Sequence, residues 1–173
     1  MFRFVQFLPL TVFLATARAL EFSADAWPAA FKWGAAASLV QVLALFWSRS
    51  FAVSRLVAGV NLFMFFGGLA FWLESAFLTG LLDGLRESAL FLFVGVAVAF
   101  AMAVSRSGAF ERELPRERQT LKLSALFLAA VLIAFIWSFE HRGDTLQAGV
   151  APFVFLLLLK GALEKSAHYR SRD

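Results

Sequence analysis

The chain has 173 residues, of which 61% are hydrophobic and 16% charged, against about 45–50% and 25% in an ordinary soluble domain. That composition excludes a soluble monomer, and the lack of any cysteine excludes disulfides, thiol nucleophiles and thiolate-bound metal or iron–sulfur centres. The net charge of +4 is small, so the placement of the positive residues is more informative than their sum, and no nucleic-acid partner is expected.

A membrane-spanning helix needs about 17 to 25 residues, and charged positions divide the chain into six apolar windows. The first, Phe4 to Ala17, lies between Arg3 and Arg18 and has 14 residues, about 21 Å of helix. Pro9 removes a helical hydrogen bond inside it, so it crosses only if both arginines snorkel outward. Alternatively, residues 4–17 form the apolar part of a signal peptide with Ala17-Arg18-Ala19 at the cleavage site; five spans then remain, with unchanged orientations.

The second window runs from Trp27-Pro28 to Trp47, with Ser23 or Asp25 placed to cap it and Pro28 suited to a first helical turn. The third is Leu56 to Leu73. The outer segment from Glu74 to Glu87 carries Phe77, Leu78, Leu81, Leu82 and Leu85, a spacing that suggests a short helix at the membrane surface, weakened by Gly80 and Gly84. The fourth window is Ser88 to Ser105. The linker that follows, through Lys122, mixes both charge signs around Pro115 and reads as a solvated loop, with headgroup or partner contact as the sharper alternative. The fifth is Leu123 to Phe139, and the sixth starts near Asp144, which has capping-box spacing to Gln147, and ends between Lys160 and Leu163.

With six crossings, twelve Lys and Arg residues fall on the side of both termini and of the 106–122 loop, three (Arg18, Arg86, Arg142) fall on the other, and Lys32 lies within a span. The positive-inside rule therefore places both termini, the loop 106–122 and the tail 164–173 in the cytoplasm. Trp27, Trp72 and Trp137 fall at outer ends and Trp47 at an inner end, as an aromatic belt requires. The expected fold is all-α: one polytopic transmembrane bundle over residues 1–173, with six spans or five.

Chemistry is sparse in the sequence. No H-E-x-x-H, G-x-S-x-G or phosphate-loop motif occurs, His141 and His168 fall on opposite sides of the membrane, and Glu140-His141 with Asp144 reads as a solvated turn. The expectation is a non-enzyme without cofactor or metal. Intramembrane polar residues are then the candidates for function: Gln6, Lys32, Gln41, Asn61 and Lys160, with Ser38 and Ser124 as smaller hydroxyls. Lys32 can snorkel toward Glu21 or Asp25. Gln41 and Asn61 are placed for an interhelical amide bond, the alternative being a polar path for a solute or ion along Lys32, Gln41 and Asn61. Lys160 has i, i+4 spacing to Glu164.

Small residues recur every four positions at Gly95, Ala99 and Ala103 and again at Gly34 and Ser38, stripes that let backbones approach within one bundle or across a homodimer. Gly67-Gly68 marks a kink or a tight crossing. The match of Lys32 and Trp47 with Lys122 and Trp137, each fifteen residues apart, hints at inverted repeats on two residues only.

Three segments carry a family resemblance: Gln6-Phe7-Leu8-Pro9-Leu10 leading into Phe13-Leu14; Phe66-Gly67-Gly68-Leu69 with Glu74 and Phe77; and the hairpin from Arg118 to Leu163. Their order resembles the intracellular septation protein A family, small polytopic proteins of the bacterial inner membrane. After the third window the chain reads Glu74-Ser75-Ala76-Phe77-Leu78-Thr79-Gly80, without that family's acidic pair and lysine-tryptophan-lysine run. The resemblance implies a non-enzymatic role in septation, envelope biogenesis and membrane homeostasis, through association with the bilayer and with other envelope or division proteins.

Overall fold

The computed structural model describes residues 7–21, 23, 26–47, 54–110 and 117–169 and, for 44–47, 117–118 and 168–169, the backbone alone. Gln6, Asp25, Arg49, Arg112, Pro115, Arg116, Arg170 and Arg172 lie outside these residues, as do the side chains of Trp47, Arg118 and His168. The described residues are all-helical: α1 Leu8–Ala19, α2 Ala26–Trp47, α3 Arg55–Trp72, α4 Ala76–Leu85, α5 Ser88–Val104, α6 Glu117–Glu140, a π-helical turn Thr145–Val150, and α7 Ala151–Tyr169.

The helix limits follow local chemistry. Pro9, expected inside the first helix, sits in its first turn, where the missing N–H would have had no intrahelical partner. Helix α1 has 12 residues, about 18 Å. Ala26 N–H donates to the Ser23 carbonyl at 3.0 Å at the start of α2. Glu21, Glu74 and Arg86, in the short links that follow α1, α3 and α4, have positive φ, the left-handed conformation with which many helices close. Asp144 caps the last helix, its Oδ1 accepting from Leu146 N–H and Gln147 N–H at 3.0 and 3.1 Å. The first turn there is π-helical, and the carbonyl of Gln147 accepts from the Trp137 indole at 3.2 Å.

Among the described residues three stretches are each long and apolar enough to cross a membrane: Arg55–Trp72, Gln119–Glu140 and Thr145–Ala167. A fourth exists if Ala76–Leu85 and Ser88–Val104 make one broken span. Helix α2 has the length, 22 residues, about 33 Å, but is not among these stretches within the described residues. Helix α5 alone has 17 residues, about 25 Å. Six crossings are thus not apparent from helix length and hydropathy.

The chain forms two compact units, one from Met1–Val53 with Val60–Gly84, the other from Ser54–Gly59 with Leu85–Asp173. In the first, α1 packs along α2 through Pro9, Phe13 and Ala17. The Phe31 ring meets those of Phe13, Phe63 and Phe71 at 5.0, 5.4 and 5.8 Å between centroids, within the range where tilted and edge-on aromatic pairs attract. Gly67 and Gly68 bring α3 against Phe31 and Ala35 of α2 so closely that a Cβ at either would overlap them. Of the two readings of this glycine pair, the tight crossing is the one present.

In the second unit α5, α6 and α7 pack in sequence, alternating in direction. Helix α6 begins at Glu117, so the last part of the expected 106–122 loop is its first turns. At one end of the unit Gly143 N–H donates to Glu87 Oε2 at 3.2 Å, tying the α6–α7 turn to the start of α5. The opposite end gathers the end of α5, the start of α6 and the first residues of α3.

Large apolar side chains lie on the surface as well as in the core, and several polar ones are buried. Leu132, Ile133, Ile136, Val154, Phe155 and Leu158 are exposed, whereas Ser38, Gln41, Asn61, Ser88, Ser124 and Ser138 are buried. Only 33% of the apolar stretch of α6 and 28% of that of α7 is buried inside the protein. Contiguous exposed apolar surface on this scale marks contact with lipid or a partner.

Candidate functional site

The polar side chains inside the helices fall into three groups. In the first unit Asn61 Nδ2 donates to Gln41 Oε1 at 2.9 Å, and the two residues are only 6% and 3% exposed. The interhelical amide pair expected from the sequence is present, because α2 and α3 cross closely enough at their small residues to bring the two amides together. Lys32 is half-buried on α2 and is not part of that pair. Gly34 and Ser38 are buried on the same helix. A Cβ on Gly34 would touch Phe13 and Met64 at 3.4 and 3.5 Å, so this stripe packs against both α1 and α3. Ser38 Oγ has no hydrogen-bond partner among the described residues.

The second group lies at the end of the second unit where α3 and α6 begin and α5 and α7 run out. Lys160 is 8% exposed; its Nζ donates to Ser54 Oγ at 3.0 Å and pairs with Glu164 Oε1 at 3.4 Å. The i, i+4 pair was legible from spacing, the Ser54 bond was not. A guanidinium nitrogen of Arg55 donates to Ser107 Oγ at 3.4 Å, and the Ser105 and Ser107 hydroxyls lie 2.7 Å apart. The turn after α5 folds back onto α6: Ala109 N–H donates to Ser124 Oγ at 3.0 Å, and Ala109 and Phe110 are buried. Gly108 has φ +57°, and a Cβ there would run into the Ser124 hydroxyl, so both conformation and space require glycine. This turn partly encloses a cavity of about 300 Å³ lined by Met102, Ser105, Arg106, Thr120, Leu121 and Ser124, with Gly108 in its wall. The sequence reads 106–122 as a solvated loop, with Met102 and Ser124 inside the flanking windows; the Ser-x-Ser-Gly pattern signals a turn, not what the turn packs on.

The third group is at the opposite end of the same unit. The Trp137 and His141 rings stack at 4.2 Å, His141 Nδ1 lies 2.9 Å from the Trp137 carbonyl oxygen, and the Arg142 guanidinium sits 4.3 Å from the Phe139 ring centre. Asp144 is engaged as the cap described above, so its carboxylate is turned to the backbone and not to His141. Among the described residues no three or more His, Asp or Glu are grouped as they would be to hold a metal ion.

The small-residue stripe of α5 sits differently from that of α2. Gly95 is half-buried, with Val131 Cγ1 3.6 Å from where its Cβ would be, but Ala99 and Ala103 are exposed. Helix α5 packs instead through Phe91, Val94, Val98 and Ala101 on the adjoining face.

Comparison with protein-family models, with curated proteins and with solved structures finds no match in any of the three.

Proposed function

We propose that the chain is a multi-pass protein of the bacterial inner membrane, crossing six times with both termini in the cytoplasm, and that it acts as a non-enzymatic scaffold in the cell envelope. The observation that carries the membrane part is the exposed apolar surface: large aliphatic and aromatic side chains cover the outside of α6 and α7, while Ser124 and Ser138 of α6 are buried. In water that surface would aggregate; in hydrocarbon it is the expected lining. The count of six rests on α1, α2, α3, α5, α6 and α7 each crossing, and on the division of twelve against three positive residues that this count produces. Short α1 then relies on Arg18 reaching the interface, and α4, which buries none of its residues and exposes Phe77 and Leu81, lies along the membrane surface.

The scaffold part rests on how the intramembrane polar groups are used. Gln41 is bonded to Asn61 and Lys160 to Ser54 and Glu164, contacts that hold helices together. Exposed Ala99 and Ala103 leave a smooth strip on α5 on which a partner helix, from another envelope protein or a second copy, can approach closely. The resemblance to the intracellular septation protein A family points to division and envelope biogenesis as the process served.

Purification of the tagged chain in mild detergent from its native membranes, beside an unrelated six-span protein, is expected to enrich division or peptidoglycan-synthesis proteins specifically. Ala99→Leu and Ala103→Leu together are expected to reduce that enrichment at unchanged protein level. A preparation free of such partners would contradict the scaffold role and leave the membrane assignment standing.

A further inference from the structure

The cavity between the turn after α5 and the start of α6 is not used by anything above. Its wall combines two chemistries. Met102 and Leu121 contribute apolar surface, and Ser105, Thr120 and Ser124 contribute hydroxyls. Among the described lining residues Arg106 supplies the charge, and it is positive. Behind the wall stands a second cation, Arg55, which holds Ser107 and through it Ser105. Its Nε is buried without an acceptor among the described residues.

Position narrows the ligand class. The cavity opens where α5 and α6 leave their apolar stretches. Leu121 in its lining is exposed, as are Phe100 and Val104 in the last turns of α5. A phosphate ester fits the polar half, since guanidinium and hydroxyl donors suit phosphate oxygens. The exposed apolar rows fit hydrocarbon chains. At about 300 Å³ the space lies at the small end of ligand sites. The turn is pre-formed by the Ala109–Ser124 bond and by Gly108, which lowers the ordering cost of binding.

We propose that this cavity binds the phosphate headgroup of an anionic phospholipid, with Arg106 as the contacting cation and Arg55 as a positioning residue. The proposal rests on the membrane assignment made above. The test is titration of the full-length chain in neutral detergent with phosphatidylglycerol and with phosphatidylcholine, bound lipid being counted by native mass spectrometry. The wild-type chain is expected to prefer the anionic lipid. Arg106→Gln removes a charge-assisted bond and is expected to lower that preference by about tenfold, and Arg106→Lys to restore it in part. Leu121→Trp, which fills the cavity without changing charge, is expected to give the same loss. Lys165→Gln, which removes one exposed positive charge elsewhere on α7, is expected to leave the preference as it was.

An unchanged preference in Arg106→Gln and Leu121→Trp, or equal binding of the two lipids by the wild type, would overturn the proposal. Displacement of the lipid by an equal concentration of inorganic phosphate would overturn the lipid assignment in favour of a soluble phosphate ester. Failure of the chain to float with vesicles overturns the membrane assignment itself, so the two failures are separable.

Discussion

Gly68→Leu is expected to abolish accumulation of folded protein, and Gly59→Leu to do the same, whereas Gly80→Ala and Gly84→Ala should be neutral or mildly stabilising. A Cβ at Gly68 would overlap the Cβ of Ala35 and the carbonyl of Phe31, and one at Gly59 would overlap the backbone of Val94. Backbone cannot swing aside as a flexible side chain can, and overpacking of a well-filled interior costs about 1–3 kcal/mol even for small additions. Leucine adds three further carbons at each place. The α4 glycines have nothing within 4 Å of the added methyl group, and alanine there gains up to about 1 kcal/mol of helix propensity. Folded yield of the four variants in one detergent, with thermal midpoints for those that accumulate, provides the comparison. A Gly68→Leu chain with a wild-type midpoint would mean that α2 and α3 do not cross at these residues.

The second large effect concerns the buried amide pair. Asn61→Leu leaves Gln41 Oε1 without the donor seen at 2.9 Å, and Gln41→Leu leaves Asn61 Nδ2 without its acceptor. An unsatisfied buried group costs about 1–3 kcal/mol. The double variant removes both groups together and is expected to cost less than the two single changes summed, with a coupling of about 0.6 to 1.7 kcal/mol. The cycle is read from thermal or denaturant unfolding of the four chains in detergent. Strict additivity would show that the two amides do not depend on one another. The same variants separate structure from transport. A solute path along Lys32, Gln41 and Asn61 requires Asn61→Leu to block uptake in protein that is folded and abundant, whereas a structural pair predicts that any loss of function follows the loss of folded protein.

The parts of this fold legible in the sequence are those that depend on one helix at a time. Charges bracket the apolar windows, so the limits of α3 at Arg55 and Trp72 and of α5 at Ser88 and Val104 fall within one residue of the windows. Asp144 was legible as a cap because capping needs only local spacing. The Gln41–Asn61 bond was legible because two amides in adjoining apolar helices have few other partners. What depends on a neighbour was hidden. Gly95, Ala99 and Ala103 form as good a stripe as Gly34 and Ser38, and only packing decides that α5 turns its Val94 and Val98 face inward instead. The turn at Ser105–Phe110 reads as solvated loop because the acceptor that fixes it, Ser124, comes fifteen residues later. The π turn at Thr145–Val150 has no compositional signature, and its Gln147 carbonyl answers to a tryptophan on the preceding helix. The crossing count is hidden for a different reason. Whether Lys32 and Gln41 of α2 lie inside a membrane depends on partners and snorkelling that no window average contains.

The proposed topology puts the 106–122 segment and the C-terminal tail on one side of the membrane and the α4 region and the α6–α7 turn on the other. The natural absence of cysteine makes the direct measurement clean: Asp83→Cys, Lys122→Cys, Arg142→Cys and Lys165→Cys, each the only thiol in the chain, labelled with a membrane-impermeant maleimide in intact and in permeabilised cells. Asp83→Cys and Arg142→Cys are expected to be labelled from outside the intact inner membrane, and Lys122→Cys and Lys165→Cys only after permeabilisation. Equal labelling at all four positions in intact cells, or Arg142→Cys and Lys165→Cys on the same side, would contradict it.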